Sequence, residues 1–481
     1  MNDKTIKFGT DGWRGVIAET FTSENVRVVS QGVCEYLEHK VKLKSEKPKI
    51  VIGYDTRFLS DRFARVAAGV FAANGAETIV SDSFIPTPIL STAVVVDNAD
   101  LGVMITASHN PPEYNGYKIK GPYGGSATMD MVEKIEKRVN RGIRDGLFYR
   151  CLSEKEDPSQ YLSYKDFKKG YQAHVEGLID LDALKDFSYK VLVDPMYGAA
   201  QKTYKELMDI FGIRDTVEIH SQYNPSFGGI NPEPIGIHIR DAIRVLKQEG
   251  CKLGICLDGD ADRIGAIGED GNYISSHHIF AVILYHLVED RKLSGRVIKT
   301  VSTSSIIDRI AERHNLELKT TPIGFKYIGK EILNGGVLMG GEESGGLWLH
   351  GNIPERDGMV MGLKLIEIMA KKGKTINKIL EEIYDKFGHF VYQRLDYGVT
   401  EAQKEKLKEL LEKKVPDLIK AEGVKQVVTI DGYKYFLEDG SWVMVRPSGT
   451  EAVVRVYAES SSQEKLSYLH GLGKKVINGL I

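Results

Sequence analysis

Cysteine and long apolar runs are both scarce in this chain of 481 residues. Its four cysteines show no C-x-x-C spacing and no dense pattern of the kind that holds small secreted domains together, so reduced thiols are the simplest interpretation. No stretch approaches the ~20 apolar residues that a membrane-spanning helix needs, and the first residues lack the apolar core of a signal peptide. We therefore expect a cytoplasmic protein that is neither secreted nor inserted in a membrane.

An excess of charge of either sign is also lacking. Lysine and arginine number 64 against 66 acidic residues, and no basic tail or block occurs, so nucleic acid is not expected as the main partner. A neutral total still permits a local cluster of cations in a cleft, so anionic substrates remain possible. The 42% apolar and 27% charged residues are typical of soluble globular proteins, and at roughly 150 residues per domain the length favours about three domains.

What the sequence does contain is an alternation of short apolar runs with helical patterns, which predicts α/β units with largely buried sheets. The predicted strands are Lys49 to Tyr54, Leu101 to Thr106, Tyr189 to Asp194, Cys251 to Leu257, Arg296 to Val301 and Gly336 to Met339. Several run directly into polar loops with glycine or proline, namely TASHNP, DPMYG, DGDADR and GEESGG. Because ligands of open α/β sheets bind beyond the carboxyl ends of the strands, we expect the chemistry in these loops.

Two segments are interpreted as connections between domains. Residues 143–166 are polar and charged, and a second break is expected at residues 385–400. The second break lies between a helical pattern from Met359 to Ala370 and a lysine- and glutamate-rich helix from Glu401 to Lys414.

The segment Thr106 to Pro112 follows the apolar run LGVMI. Proline at positions 111 and 112 fixes its own φ and biases the preceding residue away from helix, so the chain turns and presents the hydroxyl of Ser108 at a strand end. An ordinary turn built by Ser108 and Asn110 explains this segment equally well. A serine hydrolase is disfavoured, since no G-x-S-x-G elbow occurs in the chain.

Three carboxylates alternate in the loop after the strand KLGICL, at Asp258, Asp260 and Asp262. Their crowded negative charge favours a bound cation, and hard oxygen ligands suit Mg²⁺. An EF-hand calcium loop is a close alternative, but Arg263 stands where that loop needs glycine and a strand precedes it. A solvated acidic turn is the other alternative.

Two further loops are ambiguous when each is taken alone. Residues 341–346, GEESGG, offer a carboxylate and a hydroxyl that suit sugar hydroxyls, although such loops are common surface turns. Residues 446–451, RPSGTE, combine a guanidinium with hydroxyls and turn amides that suit a phosphate, although a hairpin turn fits them as well. A partial Walker A pattern at residues 324–330 is rejected, because Glu331 stands where serine or threonine would bind magnesium.

The joint presence of these loops in this order resembles the α-D-phosphohexomutase superfamily, which includes phosphoglucomutases and phosphomannomutases. The resemblance rests on FGTDGWRG (Phe8 to Gly15), TASHNPPEYNGYK (Thr106 to Lys118), DGDADR, GEESGG and RPSGTE. These motifs span nearly the whole chain. The resemblance implies three related α/β domains with mixed sheets and then a smaller α+β C-terminal domain around a central cleft, so the length gave one domain too few.

The domain boundaries implied are 1–155 with the serine loop, 156–265 with the metal loop, 266–385 with the sugar loop and 386–481 with the phosphate loop. Carried over by motif position, Ser108 is the phosphoserine, and Asp258, Asp260 and Asp262 bind Mg²⁺ together with an oxygen of that phosphate. Lys118 is the candidate general acid/base.

The remaining roles carried over concern the substrate. Arg14, His109 and Arg263 are expected to help neutralise the transferring phosphoryl group. Glu342 and Ser344 are expected to bind sugar hydroxyls, and Lys326 to reach a substrate phosphate. The non-reacting phosphate is expected to bind Arg446, Ser448, Gly449 and Thr450.

The reaction implied is phosphoryl transfer from the serine to a sugar hydroxyl, which gives a hexose bisphosphate that turns end for end and returns its other phosphate. Such transfer needs in-line positioning and charge neutralisation, which a metal with lysine and arginine supplies. Closure of the last domain through Arg446 is our hypothesis for the exclusion of water.

For the substrate, Glu343 and Gly346 are informative. Superfamily members specific for glucosamine tend to carry glutamine and histidine in the sugar loop, and dual mannose/glucose members tend to place histidine after its glycine. TASHNP and GEES are more similar to the glucose enzymes, so glucose 1-phosphate and glucose 6-phosphate are expected, with glucose 1,6-bisphosphate as intermediate. Mannose or glucosamine phosphates, a phosphatase and a non-catalytic cation-binding protein remain alternatives, and the sequence leaves the oligomeric state and the choice between Mg²⁺ and Mn²⁺ open.

Overall fold

A computed structural model describes residues 5–9, 11–40, 43–44, 46–146, 149–152, 162–449 and 452–479. Its strands form four separate sheets that follow one another along the chain, and we number the four domains by these sheets. All four sheets carry helices; the first three mix parallel with antiparallel strand pairs, and the last is antiparallel throughout. The predicted fold class of three α/β domains and a smaller α+β domain is therefore confirmed.

The first sheet has six strands in the order β1-β5-β4-β2-β3-β6. Its strands are β1 (Trp13–Val16), β2 (Lys49–Tyr54), β3 (Glu77–Ser81), β4 (Leu101–Ile105), β5 (Tyr114–Lys120) and β6 (Leu162–Lys165). Its helices are α1 (Ser23–Lys40), α2 (Ser60–Ala73), α3 (Thr87–Val96) and α4 (Met129–Arg144). Every residue of β4 is buried, as expected for a strand whose faces are both covered, and β5 pairs antiparallel with it.

The second sheet has five strands in the order β11-β10-β9-β7-β8. Its strands are β7 (Val191–Asp194), β8 (Thr216–Glu218), β9 (Leu253–Leu257), β10 (Ile264–Gly268) and β11 (Tyr273–Ile274). Helices α5 (Lys168–Glu176) and α6 (Leu181–Leu184) precede the sheet, and α7 (Thr203–Ile210) and α8 (Arg240–Glu249) lie between its strands, with a short 3-10 turn at Phe227–Gly229. The tight hairpin of β9 and β10 encloses the acidic loop.

The third sheet has four strands in the order β13-β12-β14-β15. Its strands are β12 (Arg296–Thr300), β13 (Leu318–Thr321), β14 (Val337–Gly341) and β15 (Leu347–Leu349). Its helices are α9 (Ser276–Tyr285), continued by a π-helical turn at His286–Asp290, then α10 (Ile306–Arg313), α11 (Phe325–Leu333), α12 (Gly358–Lys372) and α13 (Ile376–Phe387). Helix α12 is buried along most of its length and lies at the centre of the molecule's largest apolar core.

The fourth sheet has five antiparallel strands in the order β16-β20-β19-β18-β17. Its strands are β16 (Val391–Gly398), β17 (Val424–Val428), β18 (Tyr433–Leu437), β19 (Trp442–Pro447) and β20 (Val453–Ser460). Its helices are α14 (Glu401–Lys413), α15 (Asp417–Lys420) and α16 (Gln463–Asn478). Strand β19 leads directly into the predicted phosphate loop.

The apolar cores show which domains are packed together. The largest core joins the second and third domains and also includes α3 and residues of β2, β3 and β4 of the first, whereas the remaining apolar residues of the first domain and those of the fourth domain form separate cores. A small cluster of Val301, Trp442, Met444 and Tyr457 joins the third and fourth domains. The fourth domain is thus attached through a much smaller apolar contact than the one between the second and third.

Several boundaries differ from those predicted. Residues 162–165 of the first predicted connection form β6, which completes the first sheet by pairing with β3, and residues 391–398 of the second form β16. The domain boundary after residue 265 falls inside β10, and the one after residue 385 falls inside α13. A sheet cannot be divided in the middle of a paired strand, so the second domain extends at least to β11. The boundary after residue 155 lies outside the described residues.

Among the described helices, none combines the length and the apolar character that crossing a bilayer requires.

Candidate active site

Four loops follow the carboxyl ends of β4, β9, β14 and β19. Two of them, from different domains, meet directly: Ser108 Oγ donates a hydrogen bond to Asp258 Oδ2 at 2.7 Å. The serine is 1% exposed and the aspartate is fully buried. The hydroxyl of the predicted phosphoserine therefore lies against the acidic cluster.

The backbone of Ser108 has a left-handed φ of 54°, which is uncommon for a residue with a side chain. Thr106 Oγ1 accepts a hydrogen bond from the Ser108 amide at 2.9 Å. A methyl group added at Gly259 would lie 2.4 Å from the Ser108 carbonyl oxygen, so only glycine permits the acidic loop to approach this closely.

Arg57, which sequence reasoning missed, fixes the serine loop by hydrogen bonds to its backbone carbonyls. Its Nη2 donates to the carbonyls of Ser108 at 2.7 Å and Asn110 at 2.6 Å, and its Nη1 donates to those of Pro111 at 2.7 Å and Tyr114 at 2.9 Å. The guanidinium is buried, lies 3.2 Å from a carboxylate oxygen of Asp55 and stacks on the ring of Phe227 from the second domain. The only hint in the sequence is the polar DTR that follows the apolar β2, at the same sheet edge as the serine loop.

The three aspartates of the acidic loop are fully buried, and a set of their carboxylate oxygens lies within 4.8 Å of one another. Burial raises the pKa of Asp258, and the charges of Asp260 and Asp262 raise it further. Asp260 Oδ1 and Asp262 Oδ1 are buried without a hydrogen-bond partner. Three crowded oxygen donors with two unsatisfied atoms fit a hard divalent cation, so the residues present suit a metal site.

Lys118, the predicted acid/base, lies on β5 with its Nζ among these carboxylates. The distances are 2.8 Å to Asp260 Oδ2, 2.9 Å to Asp262 Oδ2 and 2.8 Å to Asp11 Oδ2. Burial alone would lower the pKa of Lys118, but the three carboxylates outweigh burial and raise it above its ordinary value. The lysine is therefore an ammonium held beside the acidic loop.

Arg356 and Asp11 are further charged residues of the site that sequence reasoning did not single out. The Arg356 guanidinium contacts Asp11, lies 2.7 Å from Asp262 Oδ2 and 3.7 Å from Glu342 Oε2, and stacks on Phe325. Burial would lower its pKa, but Asp262 and Asp11 raise it. Asp11 stands within the quoted motif FGTDGWRG, so a signal existed for it, whereas Arg356 follows the sugar loop without a motif of its own.

Thr87, also missed, supports the acidic loop from the amino terminus of α3. Its Oγ1 donates to Asp260 Oδ2 at 2.6 Å and its amide donates to the Asp260 carbonyl at 2.9 Å. The first domain thus touches all three aspartates: Ser108 contacts Asp258, Thr87 contacts Asp260, and Lys118 contacts both Asp260 and Asp262.

The predicted helpers of phosphoryl transfer contact either the serine loop or the acidic loop. Arg14 on β1 donates to Asn110 of the serine loop, and Arg263 Nε lies 3.9 Å from Asp262 Oδ1. His109 Nδ1 lies 3.5 Å from Ser108 Oγ. Burial holds the pKa of His109 well below its usual range, and the nearby Arg263 and Arg14 lower it further, which favours a neutral imidazole.

The sugar loop contributes Glu342 and Ser344. Burial raises the pKa of Glu342 to about 7, against the opposing effect of Arg356. Its neighbour Glu343 accepts hydrogen bonds from Thr300 at 3.1 Å and Ser302 at 2.6 Å. Ser344 is half-buried beside them. The Arg356 contact links this loop to the acidic loop.

The remaining predicted residues lie further along the cleft. Arg446 Nε donates to Asp431 at 2.8 Å, Ser448 is buried and Gly449 is exposed, whereas Thr450 lies outside the described residues. Lys326 on α11 lines a cavity of about 180 Å³ together with Asp11 and Gly12 of the first domain. The structure therefore brings Ser108, Lys118 and the aspartates into contact and places Arg446 in a separate set of contacts.

Profiles of known protein families match this chain over four consecutive segments. They are the alpha/beta/alpha domains I, II and III of phosphoglucomutase/phosphomannomutase at residues 5–144, 169–271 and 275–387, and the C-terminal domain of the same proteins at residues 399–470. The chain belongs to the phosphoglucomutase/phosphomannomutase family. Members of this family are isomerases that transfer a phosphoryl group within a sugar phosphate, so the predicted superfamily and enzyme class are confirmed.

Individual relatives of the family cover the full length of the chain. A phosphoglucomutase/phosphomannomutase of Thermococcus kodakarensis is 31% identical over 98% of each chain. A phosphoglucosamine mutase of Clostridium novyi is 30% identical, again over 98% of each chain. The crystal structure of a putative phosphomannomutase from Thermus thermophilus superposes with a TM-score of 0.85 at 32% identity, covering 98% of this chain and 99% of that one. The relatives differ in the sugar that their names specify.

Proposed function

We propose that this phosphohexomutase interconverts glucose 1-phosphate and glucose 6-phosphate through a phosphoserine at Ser108 and glucose 1,6-bisphosphate. The observation that carries the proposal is the 2.7 Å contact between Ser108 Oγ and Asp258 Oδ2 within a buried cluster of three carboxylates. A phosphoryl group on this serine would lie beside the acidic loop, where a cation held by the aspartates would neutralise its charge.

Asp258, Asp260 and Asp262 would hold Mg²⁺ together with an oxygen on Ser108, and a bound Mg²⁺ would neutralise charge on the transferring group. Arg14 at the serine loop and Arg263 beside Asp262 supply further positive charge. Lys118 is the group that exchanges a proton with the sugar hydroxyl, since it is buried beside the carboxylates and carries a proton. Arg57 fixes the loop so that the serine oxygen keeps its position during transfer.

The bisphosphate has to turn end for end, which requires contacts that do not depend on which phosphate faces the serine. Glu342 and Ser344 offer an acceptor and a hydroxyl for the sugar in the middle of the cleft. Arg446, with Ser448, Gly449 and Thr450 of the same loop, offers a distant phosphate site, and Lys326 adds a cation at the cavity beside Asp11. A phosphatase would not need this second phosphate site.

The choice of glucose rests on the sugar loop, where Glu343 is held by Thr300 and Ser302 and Gly346 adds no side chain. A Cβ at Gly346 would lie 2.3 Å from Arg356 Cδ, so a histidine at this position is incompatible with the arginine as it stands. Mannose 1-phosphate and glucosamine 1-phosphate are the alternatives, and the relatives named for glucosamine give the second one weight.

The first test compares turnover of the purified enzyme on glucose 1-phosphate, mannose 1-phosphate and glucosamine 1-phosphate. We expect the highest kcat/KM for glucose 1-phosphate, with glucose 6-phosphate as product and no net release of inorganic phosphate. A tenfold preference for either other sugar would overturn the assignment to glucose, and stoichiometric release of inorganic phosphate would indicate a phosphatase.

The second test addresses the serine. Ser108→Ala removes the proposed covalent route, so kcat should fall by at least about 10⁴-fold, because phosphate monoesters react extremely slowly without catalysis. Ser467→Ala, which changes an exposed serine on α16, serves as the matched control and should retain full activity. Peptide mass spectrometry should find phosphate on Ser108 of the wild-type enzyme. Unimpaired turnover of Ser108→Ala would exclude the phosphoserine route.

A further inference from the structure

Asp431 lies in the hairpin between β17 and β18 of the fourth domain, and its two carboxylate oxygens accept hydrogen bonds from two different domains. Oδ1 accepts a hydrogen bond from Nε of Arg446 at 2.8 Å, within the same domain. Oδ2 accepts a hydrogen bond from the backbone amide of Ile323 at 3.0 Å, in the third domain. One side chain therefore joins the arginine of the phosphate loop to a loop of the neighbouring domain.

In the third domain, Ile323 lies three residues before Lys326, a second positively charged side chain of the cleft. Ile323 is followed by Gly324, whose φ of 128° favours glycine, and then by α11, which begins at Phe325 and carries Lys326. The Ile323 side chain packs against the cluster of Val301, Trp442, Met444 and Tyr457 between the two domains. The amide that Asp431 binds is thus fixed in the third domain at the start of the segment that positions Lys326.

The docking of the fourth domain does not depend on Asp431. Lys434 Nζ donates to the Val301 carbonyl at 2.9 Å, and Glu459 accepts from the Ser305 amide at 3.1 Å, so two other polar contacts accompany the apolar cluster. Asp431 is also partly accessible, with 24% of its side chain exposed. Its bonds therefore add less to domain attachment than to the placement of the groups that they hold.

The bond to Asp431 determines how the Arg446 guanidinium is oriented. A guanidinium held through Nε directs its two terminal nitrogens away from the holder, in the parallel arrangement that binds two oxygens of a phosphate. Gly432, next to Asp431, has a φ of 90°, and a Cβ there would lie 2.9 Å from Arg446 Cβ, so the hairpin is built to pack against the arginine stem. Burial would lower the pKa of Arg446, but Asp431 raises it, so the guanidinium is charged.

We propose that Asp431 is a positioning residue that sets the Arg446 guanidinium for a sugar phosphate by tying it to the Ile323 amide of the third domain. The inference rests on the proposed phosphate-binding role of Arg446. Arg446 is correctly placed for the phosphate only when the fourth domain is docked and the hydrogen bond from the Ile323 amide to Asp431 is formed.

The test measures the dissociation constant of glucose 6-phosphate by calorimetry, together with kcat, for the wild-type enzyme and for Asp431→Ala. We expect the dissociation constant to rise about tenfold, as for loss of one charge-assisted bond, while kcat changes less than about threefold. Asp431→Asn keeps one acceptor oxygen and should give an intermediate rise. Asp439→Ala is the matched control, because Asp439 pairs with Lys465 in the same domain away from the cleft.

Hydrogen exchange supplies a readout that needs no substrate. In Asp431→Ala the peptide that contains Ile323 should exchange faster than in the wild type, whereas the peptide around Val301 and Ser305 should keep its protection. An unchanged dissociation constant, or unchanged exchange at Ile323, would overturn the proposal, and so would a general loss of protection throughout the fourth domain.

The proposed function and this inference can fail separately. If the wild type binds glucose 6-phosphate but isomerises no hexose phosphate, the function is wrong and the dissociation constants still decide the role of Asp431. If the wild type binds no sugar phosphate at all, the phosphate role of Arg446 falls and the inference with it.

Discussion

Arg57 and Ser108 illustrate how single residues build this site. A serine with positive φ is strained, and the strain persists only where neighbouring groups fix the backbone. Arg57 does so with bonds to four carbonyls of one loop, and its burial beside Asp55 leaves it no alternative partner in solvent. The position of the proposed nucleophile is therefore set by a side chain 51 residues away in the sequence.

Arg57→Lys should lower kcat about 10- to 100-fold with little change in KM, because an ammonium cannot span the four carbonyls and a small displacement of the reacting oxygen is costly. Steady-state kinetics on glucose 1-phosphate provide the measurement. Arg65→Lys, at an exposed pair with Asp61 on α2, is the control and should behave as wild type. A rise in KM alone would contradict a role in placing the serine.

Removal of the cation tests the aspartates. Dialysis against a chelator should abolish activity, and added Mg²⁺ should restore it, because the proposed phosphoryl transfer depends on a cation at the three aspartates to neutralise the charge of the transferring group. Asp258→Asn should raise the Mg²⁺ concentration needed for half-maximal activity at least about tenfold. Full activity in excess chelator would be incompatible with the metal site.

Some residues of the site can be predicted from the sequence, and others can be recognised only in the structure. Ser108 and the aspartates stand in short motifs whose residue types already suit the chemistry, and the structure brings them together. Arg57, Thr87 and Arg356 act on groups that are distant in sequence, and their partners become known only once the domains are packed. A lone arginine after a strand carries no such information.

At the scale of elements, α12 shows how a helix terminus serves the cleft. Asp357 is its N-cap and accepts a hydrogen bond from the Val360 amide at 3.0 Å, while Tyr171 donates to both of its oxygens. Burial raises the pKa of Asp357 to about 7, and these hydrogen bonds oppose the rise only in part. The helix thereby begins with a carboxyl that ionises near neutral pH, next to Arg356.

This raised pKa predicts a pH dependence of stability. Between its ordinary value of 3.8 and about 7, the folded state retains a proton on Asp357 that the unfolded state has released. Stability from this group therefore falls as the pH rises through that interval and is level above it. Relative to Asp357→Asn, the wild type should lose roughly 2 kcal/mol of unfolding free energy between pH 5 and pH 8, measured by denaturant titration. Glu342 titrates in the same range in both proteins, so the difference isolates Asp357, and parallel pH profiles would refute the assignment.

Elements were predicted well where local pattern determines them. The run Lys49 to Tyr54 forms β2 with the predicted bounds, because an apolar, β-branched run buried on both faces has few other solutions. Strands β6 and β16 lie in segments that the sequence predicts as connections, since their exposed and polar residues lack a strong pattern and pairing with a neighbouring strand decides their conformation. Tertiary pairing overrides weak local preference at such edges.

At the scale of the whole molecule, Arg356 joins three domains. It contacts Asp11 of the first, Asp262 of the second and Glu342 of its own third domain, while the fourth is attached separately through the cluster around Trp442. Buried carboxylates from three domains thus share the positive charge of the Arg356 guanidinium.

Arg356→Met should destabilise the protein by about 3–5 kcal/mol, because the shape of the stem is kept while buried carboxylates lose their counter-charge. Arg356→Lys should recover part of the loss. Thermal unfolding followed by calorimetry is the measurement, and Arg309→Met, which removes a bond to the Phe387 carbonyl away from the cleft, is the control. If Arg356→Met and Arg309→Met destabilised the protein equally, the ion pairs of Arg356 between domains would contribute no more to stability than an ordinary hydrogen bond.

The contact between Ser108 and Asp258 also has a consequence for synthesis on the ribosome. A nascent chain that has emerged only as far as β6 already has the serine, but the acidic loop lies about a hundred residues further along and is still within or behind the exit tunnel. The first domain can fold during translation without any capacity to exchange phosphate with the sugar pool around it. On the proposed function, catalytic competence therefore arises late, when the second domain has folded and brings Asp258 to the serine.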